Sequence, residues 1–301
     1  MAIRLIALDL DGTLLDSRGE LSERNREAIN SARARGVSVA LVTGRRFRDA
    51  RPLALALGLD VPVISHNGAL TKHARTLETV CAVLMPVEAA RAVVRVGRAH
   101  GADALVSDDH VGEGTLVYDH ISEGNTALAK YIAWTRRVVG DDAARAIRRV
   151  ASLDEYLDHD PLHIAFSGGC SAIERLAEAM RSELGESVKL LLTLYPKTDF
   201  ALLDVLHPAA SKGAGLAAVA AEQGLGREEV MAVGDNFNDV EMLEWAGTGV
   251  VMGNADASLR ARAGFHATAT NDEDGVAVAI EHFALNSERG TTNDELKSSR
   301  I

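Results

Sequence analysis

Short apolar runs alternate with helix-like segments at the start of the chain. The apolar runs, at residues 3–8, 37–42 and 61–65, predict buried strands, because a strand covered on both faces needs apolar side chains throughout. Residues 21–35 predict the first intervening helix, and a second helix is predicted to end near Leu57. Parallel strands need such crossover helices, so this βαβαβ order predicts a doubly wound, Rossmann-like parallel sheet.

The same alternation returns near the C-terminus. Helices are predicted at 212–223 and 240–245, and strands at 230–234 and 248–252. Residues 86–192 follow a different pattern, in which helical stretches are separated by short strand-like runs. We therefore predict an α/β fold in which an α+β domain is inserted into the parallel-sheet core.

These patterns also predict the domain boundaries. Residues 1–85 and 193–285 are predicted to form a discontinuous core domain, and residues 86–192 the inserted domain. The polar segment at 286–301 lacks apolar periodicity, so it is predicted to be a disordered tail.

Composition and charge exclude several classes of protein. The 301 residues contain two cysteines, Cys81 and Cys170, which is too few for a disulfide scaffold and favours a reducing cytoplasm. A membrane helix needs an apolar run of about 18 residues, and the sequence contains no such run. A secretory signal needs a longer apolar region than the N-terminus offers. The formal net charge of −11 argues against a nucleic-acid partner and leaves a phosphorylated small molecule open.

Two acidic residues directly follow the first predicted strand. Asp9 and Asp11, within the sequence Asp-Leu-Asp-Gly-Thr, are separated by one residue, and Gly12 permits a sharp turn. Carboxylates this close repel each other unless a proton or a cation lies between them, and Mg²⁺ prefers oxygen ligands of this kind. A capped, solvated turn is the structural alternative for two acids alone, whereas the full five-residue motif after a buried strand is far more specific.

Polar clusters follow three further predicted elements. Thr43-Gly44-Arg45 offers a hydroxyl and backbone N–H groups for a phosphate, although Thr43 alone is typical of a helix cap. Lys212 opens a predicted helix, where the helix dipole disfavours a cation unless an anion is bound, although a surface lysine is the commoner explanation.

The last cluster follows the strand at 230–234. Asp235 is placed to ligate a metal, and Asp239, four residues later, to orient that ligand set. A capping turn rich in Asn and Asp is the structural alternative. Because ligands bind at the carboxyl ends of parallel strands, the four clusters are predicted to form one site.

Together and in this order, the clusters resemble the haloacid dehalogenase superfamily of phosphotransferases. More narrowly, residues 3–284 are similar to the Cof-type sugar-phosphatase branch, which has a large cap domain inserted in its core. Asn-Gly-Ala at 67–69 and Ser-Lys-Gly at 211–213 also match this branch, while Asn236 stands where the family often has serine.

The resemblance implies a role for each acid. Asp9 is the nucleophile that becomes phosphorylated, and Asp11 is the general acid and base. Mg²⁺ is the implied cofactor, held by the carboxylate of Asp9, the backbone carbonyl of Asp11 and Asp235, with Asp239 supporting this set.

The resemblance also implies the phosphate-binding residues. Thr43 and Lys212 are expected to stabilise the phosphoryl oxygens and to act in catalysis. The remaining residues expected to bind substrate are Gly12, Gly44, Arg45, Asn67 and Asn238.

The inserted domain is expected to close over the site and to read the leaving group. For each of its polar candidates, a solvated loop residue is the commoner case. These candidates are Asp108, Asp109, His110, His120 and His163. Tyr131 and Trp134 are interpreted as core residues of this domain. Sugar phosphates are the leading substrate class, with flavin mononucleotide and pyridoxal phosphate left open.

Three competing functions were considered. A phosphomutase with a related core would return the phosphoryl group to its product, and product analysis would distinguish it. A non-catalytic metabolite-binding protein is disfavoured by the intact acids Asp9 and Asp11. A dinucleotide oxidoreductase lacks support, because the glycine-rich turn that binds a pyrophosphate is missing after the first strand. The default oligomeric state is a monomer.

Overall fold

A computed structural model describes residues 2–140 and 143–286. The chain divides into two compact units, the first made of Met1–Ala40 and Ala220–Ile301 and the second of Leu41–Val219. The predicted disordered tail lies outside the described residues, apart from Asn286. None of the helices in the described ranges combines the length and the apolar character that crossing a bilayer requires.

The first unit is a parallel sheet flanked by helices. Its elements are β1 (Leu5–Asp9), α1 (Glu23–Ala34), the start of β2 (Ser38–Val42), β12 (Val230–Gly234), α9 (Val240–Trp245), β13 (Thr248–Val251), α10 (Ala257–Arg260), β14 (His266–Ala267) and α11 (Gly275–Ile280). Strand β12 pairs in parallel with β1 on one side and with β13 on the other, and β13 pairs in parallel with β14. The predicted parallel α/β sheet is confirmed.

Local sequence signals account for these elements. All five residues of β1 are buried, as expected for a strand covered on both faces. Helix α1 begins after Ser22, whose Oγ accepts a hydrogen bond from the N–H of Asn25 (3.1 Å). The helix ends before Gly36, which has a φ of 81° and so adopts the left-handed conformation that often stops helices.

The second unit contains two groups of strands. Its elements are the end of β2, α2 (Phe47–Ala56), β3 (Val63–Ser65), β4 (Leu70–Lys72), β5 (Thr79–Ala82), α3 (Val87–Ala99), β6 (Leu105–Asp108), β7 (Thr115–Tyr118), α4 (Thr126–Val139), α5 (Ala143–Ala146), β8 (Ile147–Arg149), α6 (Leu153–Tyr156), β9 (His163–Gly168), α7 (Cys170–Leu184), β10 (Lys189–Tyr195), β11 (Phe200–Leu206) and most of α8 (Lys212–Glu222). Strands β2 and β3 are parallel, whereas β3, β4 and β5 form an antiparallel series that the sequence analysis did not predict.

Six strands of the second unit form a separate sheet in the order β10-β11-β9-β6-β7-β8. One face packs against α3 and α7 around Val93, Phe166 and Leu176. The opposite face packs against α4 around Leu105 and Leu128. This sheet includes β11, which lies after residue 192. The domain boundaries at 85, 192 and 285 stay a prediction.

Candidate active site

The first unit brings two predicted acids to one edge of its sheet. Asp9 is the last residue of β1, and Asp235 directly follows β12. These strands are parallel neighbours in which Leu8 lies opposite Val233, so their carboxyl ends meet. Both acids are therefore placed by the strands that precede them.

Three carboxylates converge at this edge. One oxygen atom from each of Asp9, Asp235 and Asp239 lies within 4.8 Å of the other two. Asp9 and Asp239 are buried, with 4 % and 0 % of their surface exposed. Asp11 is exposed, and its carboxylate does not belong to the group formed by these three acids. The predicted role of Asp11 at the metal uses its backbone carbonyl and does not need that carboxylate. A set of three carboxylates, two of them buried and none joined by sulfur or imidazole, suits a hard cation such as Mg²⁺.

Asp239 also organises the turn that carries the site. Its Oδ2 accepts hydrogen bonds from the backbone N–H groups of Asp235 and Asn236, each at 3.0 Å. Asn238 lies in the same turn, at Phe237–Asp239. The capping turn that was considered as an alternative is thus present, and it coexists with the carboxylate cluster.

The loop after β1 packs against Asp235. The Thr13 hydroxyl donates a hydrogen bond to Oδ1 of Asp235 (3.1 Å). Gly12 has a φ of 83°, and a Cβ atom there would lie 2.9 Å from Cγ of Asp235. The Asn254 side chain donates to the Gly12 carbonyl oxygen (2.8 Å). Glycine is therefore required at position 12 both by its backbone conformation and by the close approach of Asp235.

The second unit brings the other predicted phosphate-binding residues together. Thr43 is buried just after β2, and its hydroxyl accepts a hydrogen bond from the Arg45 N–H (3.0 Å). The Asn67 N–H donates to the Thr43 carbonyl (3.1 Å). Gly44 packs against the same asparagine, since a Cβ at Gly44 would lie 3.1 Å from Oδ1 of Asn67.

Lys212 lies next to this loop. A Cβ atom at Gly68 would overlap the Ser211 carbonyl group and lie 2.9 Å from the Lys212 nitrogen, so the Asn67-Gly68 turn packs on the start of α8. Lys212 is only 2 % exposed. The alternative of a solvated surface lysine is therefore wrong for this residue.

A cavity of about 530 Å³ opens beside Gly44 and Arg45 within the second unit. It is lined by the face of the six-stranded sheet that carries α4, and by α4 itself, including Tyr131. A volume of this size is typical of small-molecule sites. Trp134, the other aromatic residue singled out on α4, has a side chain outside the described set.

The polar candidates of the inserted segment separate into two groups. His163 is buried in the cavity wall, and Asp108 is buried with hydrogen bonds from Tyr156 and His159, so neither is the solvated loop residue that was favoured. The remaining three have other positions: Asp109 and His120 are exposed, and the carbonyl of His110 accepts a hydrogen bond from Lys72.

A buried pair of histidines, His66 and His163, was not predicted from the sequence. Nδ1 of His66 lies 3.0 Å from Nδ1 of His163, and Nε2 of His163 lies 3.5 Å from Oδ1 of Asp204. Burial, together with the neighbouring His163 and Arg46, lowers the pKa of His66 well below its usual value. The position of Asp204 could have been inferred from the sequence. Residues 200, 202 and 204 lie two apart in a strand, so they share one face of it, and Asp204 is the polar residue among them.

A parallel sheet with acids converging at the carboxyl ends of two neighbouring strands is the arrangement expected of a phosphomonoester hydrolase of the family that the sequence resembles. The chain belongs to the haloacid dehalogenase-like hydrolase family, whose model matches residues 6–280.

Curated relatives agree with this assignment. The pyridoxal phosphate phosphatase YbhA of Escherichia coli is 34 % identical over 276 residues, covering 87 % of this chain and 92 % of its own. The 5-amino-6-(5-phospho-D-ribitylamino)uracil phosphatase YcsE of Bacillus subtilis is 31 % identical over 283 residues, covering 94 % and 96 %. A crystal structure of a haloacid dehalogenase-like hydrolase from Bacteroides thetaiotaomicron matches with a TM-score of 0.75 and 26 % identity, covering 93 % of this chain and 98 % of that one.

Proposed function

We propose that this protein is a Mg²⁺-dependent phosphatase that hydrolyses small phosphorylated metabolites through a phosphoaspartyl intermediate on Asp9. The observation that carries the proposal is the convergence of carboxylate oxygens from Asp9, Asp235 and Asp239 within 4.8 Å. Three acids held this close repel one another, and a bound cation offsets that repulsion while keeping all three ionised. Relatives named as phosphatases cover nearly the whole chain and support the same reaction.

Two acids carry the covalent steps of the proposed reaction. A carboxylate oxygen of Asp9 attacks phosphorus, and the bond from phosphorus to the leaving oxygen breaks. Asp11 gives its proton to that leaving oxygen, which departs as an alcohol. Asp11 then takes a proton from a water molecule that attacks the phosphoaspartate, and inorganic phosphate leaves with Asp9 restored.

The cation site is assigned to Asp9, the backbone carbonyl of Asp11 and Asp235, with Asp239 holding the turn in place. Mg²⁺ bound there supplies the positive charge that offsets repulsion between an anionic nucleophile and an anionic substrate. The buried position of Asp239 and its two backbone hydrogen bonds suit it to a positioning role.

The phosphoryl oxygens are assigned to side-chain and backbone hydrogen-bond donors. Loss of one such donor typically slows a reaction by about 10²–10³-fold. The Thr43 hydroxyl and the Lys212 ammonium are the catalytic donors in this proposal. The supporting substrate-binding residues are Gly12, Gly44, Arg45, Asn67 and Asn238.

The substrate is proposed to be a small phosphate monoester. Sugar phosphates are the class implied by the resemblance to the Cof-type branch, while two relatives are named for pyridoxal phosphate and for a phosphorylated ribitylaminouracil. A cytoplasmic location is proposed as well, and it is supported by Cys81 and Cys170, both of which are free thiols.

Phosphate release from a panel of esters tests the proposal. The panel contains sugar phosphates, nucleotides, flavin mononucleotide, pyridoxal phosphate and an aryl phosphate, each with Mg²⁺ and with a chelator. Phosphate release is expected in the presence of Mg²⁺ and not in the presence of the chelator. It is expected to vanish in Asp9→Asn but not in Asp60→Asn, which alters an exposed acid. If the folded wild type releases phosphate from none of the esters, the proposal is contradicted. If the product is an isomerised sugar phosphate, the protein is a phosphomutase instead.

A further inference from the structure

The cavity beside Gly44 has mostly apolar walls. Alternate residues of the six-stranded sheet face it, and α4 supplies the rest of the apolar surface. The apolar lining residues that matter here are Leu105, Leu116, Leu128, Tyr131, Phe200 and Leu202. A ligand seated there exchanges water for apolar side chains over most of its surface.

Such walls discriminate against a sugar. Each hydroxyl group that is taken from water without a new hydrogen bond costs about 1–3 kcal/mol, and a hexose carries several of them. A planar ring system carries few polar groups and gains by burial of its faces. The apolar lining therefore favours a ring system over a polyol as the part of the substrate that departs with the leaving oxygen.

One wall of the cavity offers a fixed hydrogen-bond acceptor. The Phe47 N–H donates to Nε2 of His66 (3.2 Å), so neutral His66 carries its proton on Nδ1. That proton is donated to Nδ1 of His163, which therefore keeps its own proton on Nε2, facing the Asp204 carboxylate. These contacts orient the His163 ring and hold it against the Asp204 carboxylate in the cavity wall.

Asp204 retains the capacity to bind a ligand. The Asn67 side chain donates to its Oδ2 at 3.4 Å, and Nε2 of His163 lies 3.5 Å from its Oδ1. A carboxylate offers about four lone-pair positions, so further acceptor sites are available. The group that fits them is an N–H or O–H donor.

A second wall offers a hydrogen-bond donor. Arg46 is 7 % exposed and lines the cavity, and its guanidinium carbon lies 5.7 Å from the centre of the Tyr131 ring. Nε and Nη2 of Arg46 bind the Asp49 carboxylate at 2.7 and 2.9 Å. Among the described residues, its buried Nη1 has no hydrogen-bond partner. An acceptor atom on a ring, such as a carbonyl oxygen or a ring nitrogen, would supply that partner.

We propose that the natural substrate is the phosphate ester of a planar nitrogen heterocycle, which the cavity holds between its apolar walls. Asp204 accepts a hydrogen bond from an N–H or O–H group of the ring, and Arg46 donates to an acceptor on it. The proposal rests on the phosphatase function proposed above and narrows its substrate from small phosphate esters in general to this class.

The experiment compares three kinds of phosphate ester. Pyridoxal 5′-phosphate and flavin mononucleotide carry the proposed ring, glucose 6-phosphate and fructose 6-phosphate carry a sugar, and acetyl phosphate has no group for the cavity to recognise. We expect kcat/KM for at least one ring ester to exceed that for both sugars by about tenfold or more. A sugar phosphate as the preferred substrate overturns the proposal.

Asp204→Asn tests the acceptor. The ratio of kcat/KM for pyridoxal 5′-phosphate to that for acetyl phosphate is expected to fall by about tenfold or more, because a charged hydrogen-bond partner is lost. Glu174→Gln makes the same chemical change on the exposed face of α7 and is expected to leave this ratio as in the wild type. An unchanged ratio in a folded Asp204→Asn variant overturns the role of Asp204. If that variant does not fold, Leu202→Asn replaces it and is expected to reduce the preference for the ring.

Failure of the phosphatase function remains distinguishable. If acetyl phosphate and all the other esters resist hydrolysis, the proposed function fails, and titration calorimetry of the wild type then decides this inference alone. Tighter binding of pyridoxal 5′-phosphate than of glucose 6-phosphate supports it, and equal or weaker binding overturns it.

Discussion

Gly12 and Asp235 are packed so closely that no side chain fits between them. A Cβ atom at Gly12 would lie 2.9 Å from Cγ of Asp235 and 3.2 Å from its Oδ1. The φ of 83° at Gly12 also disfavours any other residue. The loop after β1 therefore fixes the position of one predicted metal ligand directly.

Gly12→Ala is expected to remove activity by displacing Asp235. A displacement of about 1 Å in a reacting group can slow a reaction by about 10²-fold, so we expect a loss of at least this size in kcat. Gly19→Ala is the matched control, because Gly19 has a φ of 80° and no described atom within 4 Å of the added carbon. It is expected to lose stability of about 1 kcal/mol and to keep its activity. Equal activity in the two variants contradicts the packing argument.

Asp239→Ala is expected to weaken both the fold and the metal site. It leaves the partly buried N–H groups of Asp235 and Asn236 without their acceptor, at a cost of about 1 kcal/mol for each lost hydrogen bond. Thermal unfolding measures this loss, and Asp60→Ala, at an exposed position, is expected to show none.

Mg²⁺ provides a second readout for the same variant. A ligand that binds only the folded state raises Tm, so added Mg²⁺ is expected to stabilise the wild type and to have a smaller effect on Asp239→Ala. An equal rise of Tm in the two proteins contradicts a role for Asp239 in the cation site.

Lys72→Met is expected to destabilise the second unit. Lys72 is fully buried, and its Nζ donates hydrogen bonds to the carbonyls of His110, Val111 and Gly112. Burial lowers the pKa of Lys72, and the three carbonyl oxygens are the hydrogen-bond acceptors of its ammonium group. Loss of these charged hydrogen bonds is expected to reduce the free energy of unfolding by about 2–4 kcal/mol. Lys130→Met, on the exposed face of α4, is the control and is expected to change it little. Urea denaturation that gives equal values for the two variants contradicts this role.

His66 is expected to make stability fall in mild acid. Its folded-state pKa is lowered by burial and by His163 and Arg46, so below its usual value of about 6.5 the unfolded chain binds a proton that the folded chain does not. Stability then rises with pH through that range and is lost as pH falls. His66→Gln removes the pH-dependent contribution of His66 to stability. The free energy of unfolding of the wild type minus that of the variant is therefore expected to grow from pH 5 to pH 7. A constant difference, or one that shrinks, contradicts a neutral buried His66.

Much of the sheet could be predicted because its signals are local. The apolar run at 230–234 and the helix signal at 21–35 each depend on neighbouring residues, and both are found, as β12 and α1. The contact between His66 and His163 joins residues 97 positions apart, so no local pattern reveals it. Burial of Lys212 depends likewise on the Gly68 turn packing against α8.

A phosphorylated Asp9 is the intermediate on which the proposed reaction depends, and it can be trapped. Wild type, Asp9→Asn and Asp11→Asn are mixed with acetyl phosphate and Mg²⁺, quenched in acid, and digested for mass spectrometry of the N-terminal peptide. We expect one added phosphoryl group on Asp9 in the wild type and none in Asp9→Asn. A larger fraction of Asp11→Asn is expected to carry the group, because hydrolysis needs that acid. Continued turnover by Asp9→Asn, or a phosphoryl group on another residue during turnover, would contradict the proposed reaction.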